Sequence, residues 1–245
     1  MVQDYYNQIV KISKGIHNSA QIDSEKEQLL KDYPHIFVLG CVMDSQIKYE
    51  RAWKIPLIIA KELSGKGFDL FLNKSEQWYI NFFEQKKLHR FNESMAKAFY
   101  AALQRIHEKY NDNAALIWND KPTSAELVCR FLEFDRVGIK IATMAANILS
   151  RDYKVPLKDY YAIEISPDIH VKRAMYRLGL LSQQKVAKFS SIDSNKVIYR
   201  AKSMNPEFPG IMDLAFWKIG EEKICTNTAC NDEKCPFGKI CKKQM

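Results

Sequence analysis

Asp168-Ile169-His170-Val171-Lys172-Arg173-Ala174-Met175-Tyr176-Arg177-Leu178-Gly179-Leu180 is the stretch on which the reading of this chain turns. Asp168, which follows Ser166-Pro167, is well placed as an N-cap, its carboxylate accepting from backbone N–H groups of a first helical turn. Taken alone, that is a structural role. The stretch gains meaning from what lies on either side of it.

Upstream runs Phe134-Asp135-Arg136-Val137-Gly138-Ile139-Lys140-Ile141-Ala142, followed by the apolar Thr143-Met144-Ala145-Ala146-Asn147-Ile148-Leu149. A helix, a tight turn containing glycine and a second helix rich in small residues would make a helix–hairpin–helix. Such a turn aims backbone N–H groups and a helix N-terminus outward, where a phosphate binds without base specificity. Val-Gly ahead of a helix is common, so the segment is weak support by itself.

Downstream lies Cys225-x4-Cys230-x4-Cys235-x5-Cys241, four of the six cysteines in the chain. In a reducing compartment such a cluster points to a metal or iron–sulfur site rather than a disulfide framework. Four thiolates this close in sequence can close around one centre, because short loops cost little entropy to fold around it. Structural zinc usually draws paired C-x2-C knuckles, and none occur here. The four-residue gaps favour the larger iron–sulfur cubane, with zinc as the alternative.

The rest of the chain reads as helical. Nine glycines and eight prolines are spread over 245 residues, and period-2 alternation between hairpin turns is scarce. Apolar residues recur at helical spacing, as in Met95, Phe99, Ala102, Leu103 and Ile106, until the polar Tyr110-Asn111-Asp112-Asn113. Segments 150–165 and 182–196 read as connectors. Pro56 interrupts a good helical run over 46–63 and predicts a break or bend near Lys54-Ile55, since proline costs about 3 kcal/mol in a helix interior. Trp53, Trp78, Trp118 and Trp217 are expected in the core. No apolar run approaches the ~20 residues needed to cross a bilayer, and the first residues lack a signal peptide's basic and apolar regions. A cytoplasmic protein is expected, associated with the nucleoid in a prokaryote. The net charge of +8, from 37 basic and 29 acidic residues, suits a polyanionic partner.

Together and in this order, the three segments resemble the endonuclease III-like helix–hairpin–helix DNA glycosylases. The family pattern is a hairpin close to L-P-G-V-G-x-K-T-A, then V-D-T-H-V-x-R-x-x-x-R-L-G-L, then a four-cysteine loop. Residues 168–180 match the second block closely. Met43-Asp44-Ser45-Gln46 is similar to the family's L-S-x-Q segment, and Phe208-Pro209-Gly210-Ile211-Met212-Asp213-Leu214 to the segment leading into the cysteines. The resemblance covers roughly 35–241. Three departures stand out. Asp135-Arg136 replaces the hairpin's Pro-Gly. The stretch between Lys140 and Asp168 is longer than usual, which implies an insertion around 150–165. The common cysteine spacing is C-x6-C-x2-C-x5-C, so Cys230 arrives two residues early.

The resemblance implies an all-α, two-lobed protein. One lobe of six helices over 35–155 would include the hairpin, and 1–34 with 156–245 would form the other, holding the cluster loop 225–241. It implies a base-excision DNA glycosylase with AP-lyase activity, acting as a monomer on double-stranded DNA that contains a lesion or mismatch. Asp168 would stabilise the charge that builds on the sugar as the N-glycosidic bond breaks, and Lys140 would attack the anomeric carbon to form a Schiff base. These two residues would face each other across a cleft that receives the flipped nucleotide. Gln46 would fill the vacated stack, and Arg136, Val137 and Gly138 would meet the backbone. His170 is either a DNA contact or a structural partner. Cys225, Cys230, Cys235 and Cys241 would hold a 4Fe–4S cluster, or less readily zinc. A monofunctional glycosylase and a non-catalytic DNA-binding member are the rival readings within the fold. Outside it, the rival is a zinc-stapled binding protein.

Overall fold

A computed structural model describes residues 2–20, 23–181 and 188–243. Among them the regular structure is helical throughout, and the one sheet-like feature is an isolated bridge between Cys225 and Cys230. The chain divides into two compact units. The hairpin unit comprises Ile22–Pro122 and Glu126–Ala145; the terminal unit comprises Met1–Gln21, Thr123–Ala125 and Ala146–Met245.

Helix α1 (Val2–Asn18) belongs to the terminal unit and buries Ile9, Ser13 and His17. The hairpin unit then builds around α3. Helix α2 (Ser24–Asp32) starts at Asp23, whose side chain accepts from the Glu25 amide. Helix α3 (Pro34–Met43) opens on a proline at its first position, where no intrahelical donor is needed. Every residue of α3 from His35 to Met43 is buried, as expected of a helix apolar on all sides. It packs against α4 (Tyr49–Glu62) and, beyond α5 (Phe68–Leu72) and α6 (Glu76–Lys86), against α7 (Asn92–Tyr110). Met95, Phe99, Ala102, Leu103 and Ile106 are all buried on α7, which stops where Asn111 turns into the left-handed region. Phe99 gathers Phe71, Tyr79 and Phe83 around it, with ring centroids 5.2 to 6.3 Å away.

Pro56 does not break its helix. Helix α4 runs through it without interruption, with Ala52, Ile55, Pro56, Ile59 and Ala60 all buried. The lost donor leaves one carbonyl unserved, and burial of the surrounding apolar stripe offsets that cost. Of the tryptophans, Trp118 is buried at 4% exposure, while Trp53, Trp78 and Trp217 are half-buried.

Helix α8 (Ser124–Leu132), the turn at 133–138 and α9 (Ile139–Arg151) follow. Residues 152–165 form no regular element. Helix α10 (Ile169–Arg177) comes next, then α11 (Ser194–Met204), a 3-10 turn at Pro209–Met212 and α12 (Asp213–Glu221). Of the expected connector 182–196, residues 182–187 lie outside the described ones. Its end belongs instead to α11, because Asp193 caps the Asn195 amide and starts a helix there. Val171, Ala174 and Met175 of α10 share one apolar core with Ile9, Met212, Phe216, Ile219 and Phe237.

Candidate active site and cysteine loop

The hairpin is held from beneath by apolar anchors and ion pairs of its own unit. Phe131, Phe134 and Val137 are 0%, 2% and 7% exposed, and Phe131 packs on Phe37 and Phe134. Arg130 grips both oxygens of Asp120 at 2.8 Å and donates to the Ile117 carbonyl at 2.9 Å. Arg105 pairs with Glu133 and stacks its guanidinium 5.6 Å from the Phe134 ring. Hydrogen bonds from Val137 to Phe134 and from Ala142 to Gly138 close the turn and open α9.

Between these anchors the turn itself faces solvent. Arg136, Gly138, Ile139 and Lys140 are exposed. Arg136 sits at φ +65°, the left-handed conformation that favours glycine. The turn therefore carries at Arg136 a backbone strain that glycine would not have. A Cβ built on Gly138 would meet nothing within 4 Å, so no packing in the protein requires glycine at that position. Ile139 and Lys140 occupy the first turn of α9, where amides have no intrahelical acceptor. Gln46 is also exposed, at φ +57° in the loop between α3 and α4.

In the terminal unit Asp168 is the N-cap of α10, and its Oδ1 accepts from the Val171 amide at 2.8 Å. The carboxylate is half-buried. Behind it lies a feature that sequence reading missed. Asp213 is buried, and burial pushes its carboxyl up to about 6, with the Asp168 charge adding to the rise. Its Oδ1 accepts from the Ser166 amide at 2.7 Å, and the Ser166 carbonyl accepts from the Asp168 amide at 2.7 Å. The Gly210 amide donates to the Ile163 carbonyl at 2.7 Å, while Asn147 donates to the Gly210 carbonyl at 3.0 Å. The strand of chain that delivers Asp168 is thus tied down at 163 and 166. Only the position of Asp213 in the segment before the cysteines could have flagged it.

His170 is committed within its unit. Its Nδ1 lies 2.9 Å from Arg173 Nη2, and its Nε2 is 3.9 Å from Glu221. A Cβ on Gly220 of α12 would collide with that Nδ1, so α10 and α12 approach each other where one residue has no side chain.

At the far end of α10, Arg173 and Arg177 reach the cysteine loop. Arg173 donates to Asn227 at 3.0 Å; Arg177 donates to the Asn227 carbonyl at 3.0 Å, to the Ala229 carbonyl at 3.3 Å and to the Cys230 sulfur. The Cys241 thiol donates to the Arg177 carbonyl at 3.4 Å. Cys225, Cys230, Cys235 and Cys241 line one small pocket together with Arg177 and Asp232. Burial pushes up the thiols of Cys225, Cys235 and Cys241, and each also feels Cys230. Among the described residues, no group of three or more His, Cys, Asp or Glu side chains is disposed to hold a metal ion. The four thiols nonetheless share one cavity, and their donor chemistry suits iron–sulfur or zinc centres.

Two helical units, a helix–hairpin–helix and a capped aspartate define an all-α fold of the endonuclease III class. Among solved structures, the chain is similar to a trapped covalent intermediate of endonuclease III with DNA, in its estranged-adenine complex. The TM-score is 0.59 at 14% identity, over 90% of this chain and 92% of that one. At that identity the likeness establishes the fold. No protein-family model matches the chain, and no curated protein matches it either.

Proposed function

We propose that this protein is a base-excision DNA glycosylase with associated AP-lyase activity, acting on duplex DNA that carries a damaged or mismatched base. The observation that carries the reading is the exposure of Lys140 in the first turn of α9, directly after a solvent-facing hairpin turn. The likeness to an endonuclease III–DNA intermediate supports it. In this reading Gly138 and the first amides of α9 receive a phosphate, Arg136 adds a positive charge beside it, and Val137 anchors the turn.

Asp168 stabilises the positive charge that develops on the sugar as the base leaves. Its bond to the Val171 amide fixes one carboxylate oxygen, so the group is oriented before substrate arrives. The Lys140 nitrogen, as a neutral amine, attacks the anomeric carbon and displaces the base. The sugar ring C–O bond then breaks, its oxygen taking up a proton as nitrogen gives one up, to leave an imine, and β-elimination expels the 3′ phosphate and cuts the strand. Gln46, exposed on its loop, occupies the place the flipped base vacates. Cys225, Cys230, Cys235 and Cys241 hold a 4Fe–4S cluster, with zinc as the alternative. When bound, that group supplies a staple that closes the terminal loop.

Incubation of anaerobically purified protein with a panel of lesion-bearing duplexes, scoring base release and strand scission separately, tests the reading. Borohydride is expected to trap a covalent protein–DNA complex with the wild type and none with Lys140→Gln. Base release without trapping would make the enzyme monofunctional. Tight lesion binding with no base release would remove catalysis altogether.

A further inference from the structure

Outside the hairpin, the hairpin unit carries a second concentration of positive charge. An open groove is lined by Lys48, Arg51, Lys54, Lys86 and Lys87, with Glu50 its one acidic lining residue. The five cations come from two places that the fold brings together: the start of α4 and the end of α6. Arg51 joins these two ends. Its Nε donates to the Leu88 carbonyl at 2.8 Å, and its Nη2 donates to the Lys87 carbonyl.

Several features distinguish this groove from a solvated helix face. Lys48 is the N-cap of α4 and makes no side-chain cap hydrogen bond, so the positive end of a 14-residue helix opens beside the lysines. Lys87 is in the left-handed conformation at φ +52°, where the chain leaves α6. Lys48, Lys54, Lys86 and Lys87 are all exposed. Lys86 is partly offset by Glu62 at 4.0 Å; among the described residues no carboxylate pairs with Lys48, Lys54 or Lys87. Apart from Leu88 and Ile55, the lining offers no buried group that would orient a small molecule. Flexible cations along an open trough suit a repeating anionic chain better than a compact ligand.

We propose that this groove is a second phosphate-binding surface, which takes the backbone of duplex DNA without reading its bases. The proposal rests on the DNA-directed reading given above. It adds a contact made by α4 and α6, separate in sequence from the hairpin. The groove starts two residues after Gln46, so DNA held there would also bear on the loop that carries Gln46.

The test uses the full chain and an undamaged duplex of about 30 base pairs, with affinity followed by fluorescence anisotropy across a salt series. The triple variant Lys54→Gln, Lys86→Gln, Lys87→Gln leaves Arg51 and its brace intact. It is expected to bind roughly tenfold more weakly at low salt. The slope of log K against log salt should fall by about 2.7, at ~0.9 for each of three phosphates no longer neutralised. The matching triple replacement by Arg should keep the wild-type slope. Equal affinity and slope for the Gln variant, with an unchanged melting curve, would overturn the groove assignment. So would poly-glutamate competing as well as DNA, which would point to an acidic protein partner. If the wild type fails to bind duplex DNA at any salt, the DNA reading itself falls. If a hairpin variant weakens binding and the groove variant does not, only the groove proposal falls.

Discussion

The turn at 133–138 and the loop at 225–241 place different demands on the chain. The hairpin needs a backbone shape. Arg136 at φ +65° supplies it where glycine would be easier, and the anchoring falls to Phe131, Phe134 and Val137 beneath. The terminal assembly needs particular side chains. Asp168 caps α10, Asp213 ties the approach to it, Arg173 and Arg177 grip the loop, and four thiols share a pocket. Where backbone geometry does the work, several residue types can serve. Where side chains do it, their chemistry cannot be exchanged.

The largest expected effect probes the side-chain half of this contrast. Cys235→Ser should bring iron and sulfide, measured per protein, from about four each to background. Protein that stays colourless as wild type and binds zinc stoichiometrically would replace the cluster with a zinc staple.

Asp213→Asn comes next. A carboxyl pushed up to about 6 in the folded state binds its proton more tightly than the unfolded chain does. Stability from this group is therefore complete below pH ~4 and is lost as pH rises toward 6. A tenfold difference in proton affinity is worth about 1.4 kcal/mol. The amide oxygen of Asn can still accept from Ser166, so the variant should gain about 2 kcal/mol in urea unfolding at pH 8 and almost nothing at pH 4. His17 runs the other way in the same unit. Burial holds it down to about 4, so its stabilisation is present above pH ~6.5 and lost on acidification. In Asp213→Asn, His17 and His35, which burial also holds down to about 4, should dominate, and the protein should become steadily weaker from pH ~6.5 to ~4. A variant no more stable than wild type at pH 8 would mean that burial does not raise the Asp213 carboxyl.

On the backbone half, Gly138→Val should weaken duplex binding about tenfold, some 1.4 kcal/mol, with little change in melting temperature, because a side chain there meets no protein atom. A large stability loss with intact binding would reverse the assignment. Smallest is Arg136→Gly. Relieving a left-handed arginine should stabilise the fold by about 0.5–1 kcal/mol in denaturant, while removing a positive charge weakens binding modestly. If stability falls instead, the arginine side chain is anchoring the turn.

The same contrast decides what was legible beforehand. The all-helical architecture and the extent of α7 follow from apolar spacing. The capping role of Asp168 follows from residue type and position, which act locally. Arg173 and Arg177 stood in view within the quoted stretch, but their partners, Asn227 and Ala229, lie far along the chain, and nothing in the local pattern announces them. Asp213 reads as an ordinary helix-start carboxylate until burial reveals it. Pro56 predicted an interruption that packing of α4 against α3 overrode. Asp135-Arg136 stood out as a departure, and residue type alone did not foretell that Arg136 would take the left-handed conformation.

Gly220 touches no ligand and carries no functional group, yet α12 can lie against His170 only because that position is bare. A library randomised there should return glycine almost alone, and the residue would look chemically essential to anyone scoring survivors. Its role is clearance: a methyl group would push α12 off α10 and drag the thiol-bearing loop away from the helix that begins at Asp168.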